Sequence, residues 1–166
     1  MLMNYKQKLH HISTFIFDVD GVLTDGKIIL HPSGEQLRTM SVKDGMAIRT
    51  ALTKGYKIAI ISGGKSQGLI ERFKHLKIED VYLGCDDKKD ALEDFKHIHN
   101  IDSSNILYMG DDINDWEVMK EVGLSSCPQD AVAEIKSIAD YISHKNGGNG
   151  CVRDVIEQTL KVQGKW

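Results

Sequence analysis

The chain reads as an α/β fold built on an open, mostly parallel, Rossmann-like sheet with helices on both faces and a small β-hairpin flap. Three observations predict it. Apolar runs of strand length alternate with segments of helical period over almost the whole chain. The run at 57–61 is continuously apolar rather than alternating, as parallel strands are when helices cover both faces, and the run at 12–19 likewise reads as a buried strand. The main strands also run directly into polar loops, which is where ligands bind in such sheets.

Taken in order, the first run ends in Asp18-Val19-Asp20-Gly21, two carboxylates one residue apart at a strand mouth. Charge placed there costs desolvation energy unless a cation or a donor compensates it. Residues 27–31 and 35–40 flank Pro32-Ser33-Gly34, a hairpin turn signal, giving a two-stranded flap over about 27–40. Ser41-Val42-Lys43-Asp44-Gly45 follows as a loop, with Ser41 or Asp44 able to cap a helix over about 46–54 that Gly55 stops. The strand at 57–61 leads into Ser62-Gly63-Gly64. A helix over about 65–75, a strand at 80–83 and a helix over about 88–99 come next. The strand at 105–109 delivers Gly110-Asp111-Asp112-Ile113-Asn114-Asp115 and a helix at about 116–121, in which Trp116 and Met119, with Val122 beyond, have the spacing of core residues. A strand at 123–126, a helix after Pro128, a strand at 141–142, the glycine-rich stretch 146–150 and a closing helix over about 152–162 complete the order.

A chain of 166 residues suits one domain, 1–166. With 41% hydrophobic and 27% charged residues its composition is globular, and a net charge of -3 gives no field to attract nucleic acid. No apolar run approaches the roughly 20 residues of a membrane helix, and the opening segment, 1–11, is polar, frayed and unlike a signal peptide. We therefore expect a soluble, cytoplasmic protein. Cys85, Cys127 and Cys151 lack CxxC spacing and read as free thiols. The seven histidines show no i,i+4 pair that would support a histidine metal site.

The polar strand ends carry the chemistry. Asp18 and Asp20 follow the first strand, Ser62 the second, Lys88 the loop after the third, and Asp111, Asp112 and Asp115 the fourth. Carboxylates gathered in this way repel one another and any anion, and a hard divalent cation such as Mg2+, bound through oxygen, resolves both problems. One carboxylate of the Asp18/Asp20 pair can then attack phosphorus, while the other protonates the leaving oxygen and later deprotonates water. Ser62 and Lys88 offer a hydroxyl and a positive charge to phosphoryl oxygens, although the adjacent Lys89 could fill that role and Asp112 could simply cap the following helix.

These four stretches resemble, in order and spacing, the four motifs of the haloacid dehalogenase superfamily of phosphatases. The resemblance implies Asp18 as nucleophile and Asp20 as acid/base. It implies Mg2+ on the Asp18 side chain, the Asp20 carbonyl and Asp111, with Asp112 and Asp115 supporting them. Residues 41–45, 84–88, 112–116 and 147–153, with Gln163-Gly164-Lys165, further resemble the 3-deoxy-D-manno-octulosonate 8-phosphate (KDO 8-phosphate) phosphatases. That narrower likeness implies no large cap domain and a homotetramer in which a neighbour closes each site. It also implies a sugar acid phosphate substrate from lipopolysaccharide precursor synthesis, contacted by Ser41, Val42, Lys43, Asp44, Gly45, Arg49, Gly64, Arg72 and Lys88. Two residues depart from the family pattern: Ser62 stands where threonine is common, and Gly64 where many members have arginine. Nine-carbon 2-keto-3-deoxy sugar acid 9-phosphates are the alternative substrates. A receiver-type signalling domain is disfavoured because its acceptor aspartate stands alone on a later strand, and an idle regulatory subunit because every catalytic residue type is present.

Overall fold

The computed structural model describes residues 4–166; Met1, Leu2 and Met3 of the polar opening segment lie outside the described residues. The central strand is β1 (Thr14–Phe17), flanked by β4 (Lys57–Ser62) and β6 (Ile106–Met109), with β5 (Asp80–Leu83) on one edge and β7 (Leu124–Cys127) and β8 (Tyr141–Ile142) toward the other. The order is β5-β4-β1-β6-β7-β8 and every pair in this sheet is parallel. Phe17 is in register with Ile60 on one side and Met109 on the other, so the loops carrying Asp18, Ser62 and Asp111 leave the same edge side by side.

Side chains alternate across the sheet and divide the core in two. Phe15, Phe17, Ile58, Ile60, Leu107 and Met109 face one layer, packed under α2 (Val42–Thr53), α3 (Gln67–Leu76) and α7 (Cys151–Val162) through residues such as Ile48, Phe73 and Ile156. Ile16, Ala59, Ile61, Ile106 and Tyr108 face the other, under α4 (Lys88–His99), α5 (Trp116–Glu121) and α6 (Ala133–Ile138) through Leu92, Phe95, Met119 and Ile135. Burial on both faces is why Ile58–Ile61 of β4, like Phe15–Phe17 of β1, are apolar in succession. The flap is two short antiparallel strands, β2 (Ile29–Leu30) and β3 (Gln36–Leu37).

Three local expectations are corrected. The N-terminal segment is not frayed over its described part: α1 (Tyr5–Leu9) has a reciprocal cap between Asn4 and Gln7, Leu9 is buried, and Tyr5 stacks on Tyr141 at 4.8 Å. Helix α2 begins at Val42 rather than near Met46, because the Ser41 hydroxyl accepts from the amides of Lys43 and Asp44. Asp44, the other candidate cap, turns away and caps α7 instead, accepting from the Arg153 amide at 2.8 Å.

Candidate active site

Asp18 follows β1 directly, and the chain then coils through 19–23 with Gly21 at φ +89°. Only glycine suits that turn, on two counts: the backbone is left-handed, and a Cβ there would overlap the Asp111 carboxylate. Asp18 and Asp111 are thereby brought face to face.

Asp115 anchors the cluster. It is fully buried and accepts four hydrogen bonds, at Oδ1 from Lys88 Nζ (2.7 Å) and Tyr108 Oη (2.6 Å), and at Oδ2 from the amides of Asp111 (2.9 Å) and Asp112 (3.3 Å). Its lone pairs are engaged, so it holds the loop rather than a metal. Lys88, at the start of α4, extends its buried ammonium between Asp115 and Asp18, 2.9 Å from Asp18 Oδ1. Lys89 points out to Glu121 and cannot share that position. Asp112 accepts from the Ile113 amide and caps the turn over Ile113–Asp115.

The electrostatics call for a cation. Burial first, and then the Asp115 charge, pushes the Asp18 carboxyl up to about 6 against the opposing pull of Lys88. Burial, followed by the charges of Asp18, Asp115 and Asp112, pushes Asp111 up to about 8. Burial would lower the Lys88 ammonium, but the charges of Asp115 and Asp18 outweigh it and the net shift is upward. Asp111 Oδ1 is buried without a hydrogen-bond partner among the described residues. Oxygens of Asp18, Asp111 and Asp115 lie within 4.8 Å of one another, the one such group of possible metal-ligating side chains among the described residues. With Asp115 engaged by the loop, the unpartnered Asp111 oxygen and the neighbouring Asp18 carboxylate are the side-chain oxygens that fit a hard divalent ion.

Asp18, Asp20, Ser62, Gly63, Gly64, Asp111 and Asp112 line one cleft of about 310 Å³. The Ser62 hydroxyl, almost fully buried, accepts from the Gly64 amide at 3.1 Å. The Asp20 carboxylate meets a residue that no sequence signal marked: Arg38, just after β3, donates from Nε to Oδ1 at 2.6 Å and from Nη2 to Oδ2 at 3.0 Å.

Residues 84–156 match the haloacid dehalogenase-like hydrolase family. Over 158 residues, 95% of this chain and 84% of the relative, the sequence is 42% identical to the 3-deoxy-D-manno-octulosonate 8-phosphate phosphatase KdsC of Salmonella typhi. The Escherichia coli K12 enzyme of the same name is 41% identical over the same lengths. The chain belongs to the KDO 8-phosphate phosphatase family. Among solved members of that family, the Yersinia pestis phosphatase superposes with a TM-score of 0.94 at 36% identity, covering 96% of this chain and 86% of that one. The Moraxella catarrhalis phosphatase, solved with a magnesium ion, a phosphate ion and KDO, gives 0.92 at 36% identity, covering 96% and 91%. This family membership sets aside the receiver-type reading.

The residues expected at the substrate by resemblance to KDO 8-phosphate phosphatases divide into three places. Gly64 lines the cleft that holds Asp18, Asp20 and Ser62. Val42 and Arg72 line a neighbouring cleft of about 300 Å³ between flap and α3, together with Arg38, Met40 and Ser66. Gly45 lies against Arg72, where a Cβ would come 2.7 Å from Nη2. Ser41 and Asp44 act as helix caps, with Asp44 almost fully buried, while Lys43 and Arg49 are exposed on α2. The glycine stretch also does more than turn the chain: a Cβ on Gly147 would overlap the carbonyl oxygen of Gly21, so it packs within this chain against the turn at 21–24 that follows Asp20.

Proposed function

We propose that this protein is a Mg2+-dependent phosphatase that hydrolyses KDO 8-phosphate to KDO and phosphate, supplying a lipopolysaccharide precursor, with 1–166 forming one catalytic domain. The observation that carries the reading is the buried Asp18–Lys88–Asp115 chain beside the unpartnered Asp111 oxygen, at the mouth of a cleft that also holds Asp20 and Ser62. Family membership at 42% identity to a KDO 8-phosphate phosphatase directs it to that substrate.

Asp18 Oδ attacks phosphorus, and the bond from phosphorus to the leaving sugar oxygen breaks as Asp20 gives that oxygen a proton. Water then attacks the phosphoryl group on Asp18, giving its proton to Asp20 and releasing inorganic phosphate. Lys88 keeps Asp18 in place and offsets its charge as the anionic substrate arrives. The Ser62 hydroxyl and the amides beside it receive phosphoryl oxygens. The carboxylates of Asp18 and Asp111 and the carbonyl of Asp20 would hold a magnesium ion, which would supply charge neutralisation for the approach of the phosphoryl group.

We assign a homotetramer in which a neighbour, through Arg72 or its C-terminal tail, completes each site. Its support is the apolar surface beside the cleft: Leu30, Val42, Met46 and Ile29 are 80%, 77%, 62% and 58% exposed, an unusual concentration on flap and adjoining helix. No helix among the described residues is long and apolar enough to cross a membrane. The three free thiols suit a reducing cytoplasm.

Phosphate release from KDO 8-phosphate and from nine-carbon 9-phosphates, measured at one enzyme concentration with Mg2+, with EDTA and for Asp18→Asn, tests the reading. Release should favour KDO 8-phosphate and vanish with EDTA and in the variant. Full activity of Asp18→Asn would overturn the mechanism, and preference for a nine-carbon acid would overturn the substrate.

A further inference from the structure

Asp20 stands in a turn on the rim of the cleft, and its carboxylate is 31% exposed. The hydrogen bonds it accepts among the described residues come from Arg38 alone, through the two-pronged contact at 2.6 and 3.0 Å. The arginine is fixed in turn. Its side chain is only 4% exposed, its Nη1 donates to the Gln36 carbonyl and its Nη2 to Gln36 Oε1, both at 3.3 Å. A planar guanidinium bound in this way sets the plane of a carboxylate, which a single ammonium cannot do.

Gly64 makes the arrangement possible from the opposite side. A Cβ at that position would come 2.9 Å from Asp20 Oδ2, 3.2 Å from Arg38 Nη2 and 3.5 Å from Ser62 Oγ. The glycine's backbone is not left-handed, so what its missing side chain provides is space rather than conformation. Two elements distant in sequence, the flap and the loop after β4, therefore converge on one carboxylate.

We propose that Arg38 is a positioning residue for the proton transfers made by Asp20, and that Gly64 is required to seat the pair; this rests on the phosphatase reading above. Arg38 occupies one lone pair on each carboxylate oxygen and leaves the others to face the leaving oxygen and, later, the attacking water. It holds the acid/base in the plane these transfers need. Because Arg38 leaves β3 directly, the alignment of Asp20 depends on a formed flap.

The test compares Arg38→Gln, Arg38→Lys and Gly64→Ala with wild type on three substrates in saturating Mg2+: KDO 8-phosphate, glycerol 1-phosphate, which has an alkyl leaving group but no carboxylate, and p-nitrophenyl phosphate, whose leaving group needs no proton. The readout is kcat/KM, which reports the steps through phosphoryl transfer to Asp18. Arg38→Gln should lower it about 100-fold on both alkyl esters, the lower end of what a placed acid contributes, and less than about threefold on the aryl ester. Arg38→Lys should recover part of the loss, and Gly64→Ala, which keeps the arginine, should reproduce the same selectivity with an unchanged unfolding midpoint. A loss confined to KDO 8-phosphate would make Arg38 a ligand for the sugar carboxylate and overturn the proposal, as would equal losses on alkyl and aryl esters. Wild type inactive on all three substrates would instead overturn the phosphatase reading, and the role of Arg38 with it.

Discussion

Replacing Asp115 with asparagine keeps the volume of the side chain and removes the charge that faces Lys88. All four partners of Asp115 act as donors toward it: an ammonium, a phenol and two backbone amides. An asparagine amide, flipped either way, must turn its NH2 toward two of them. Facing Lys88, it meets a group that cannot accept; facing the backbone, it leaves the Asp111 and Asp112 amides without an acceptor. Breaking a buried ion pair costs about 3–5 kcal/mol, but Lys88 keeps Asp18 at 2.9 Å, and removing one negative charge relieves Asp18 and Asp111. The lower end applies, about 3 kcal/mol, or a fall in unfolding temperature of about 6–12 °C for a chain of this size. Thermal and urea unfolding without metal measure it, alongside Lys88→Met and the double variant. The double variant should be more stable than the sum of the single losses predicts, since it leaves no unpaired ammonium in the core. Asp115→Asn within 1 kcal/mol of wild type, or strict additivity in the cycle, would refute the reasoning.

The raised carboxyls predict an unusual pH dependence. Ordinary aspartates titrate near 3.9, whereas Asp18 and Asp111 are pushed up to about 6 and about 8. Between about pH 4 and 8 the folded, metal-free protein thus binds more protons than the unfolded chain, and its stability should fall as pH rises. Mg2+ should restore more stability at pH 8 than at pH 5, and a flat metal-free profile in unfolding scans would contradict this. Gly147→Ala should cost about 1–3 kcal/mol and lower kcat, because its methyl must displace the backbone of Gly21 and Thr24, in the turn that follows Asp20; unaltered unfolding and turnover would show that the segment yields freely. Leu30→Glu, on the exposed flap, should keep the circular dichroism of the parent while sedimentation shows dissociated subunits with reduced turnover; an intact tetramer would place the interface elsewhere.

Much of this was legible in the sequence where a signal is local. Strand β5, helices α4 and α5 and strand β8 lie where periodicity and turn residues put them, because apolar pattern and flanking caps agree there. The convergence of the loops carrying Asp18, Ser62 and Asp111 was legible for the same reason, since each follows a strand and the strands share one edge. What stayed hidden depends on distance along the chain. Arg38 sits 18 residues from Asp20 on a flap of two-residue strands, where one arginine has no pattern to distinguish it. Asp44 reads as a cap for its own helix but serves one 109 residues away. The close contact of Gly147 with Gly21 depends on how α7 docks, which no local pattern expresses.

The parallel order β4-β1-β6 places the proposed phosphoryl chemistry on three of the four strands with neighbours on both sides, beneath the buried residues of both core layers. The flap has only two paired positions and projects apolar side chains into solvent. In amide exchange, Phe17 and Met109 should therefore open only with the whole fold, while Leu30 and Leu37 should open in the free subunit at little cost. Asp18, the proposed nucleophile, would then belong to the most slowly exchanging unit of the protein, whereas the arginine aligned on Asp20, the proposed acid/base, would belong to the fastest. Whatever settles the flap, substrate or a second subunit, then acts on the alignment of Asp20 without disturbing Asp18.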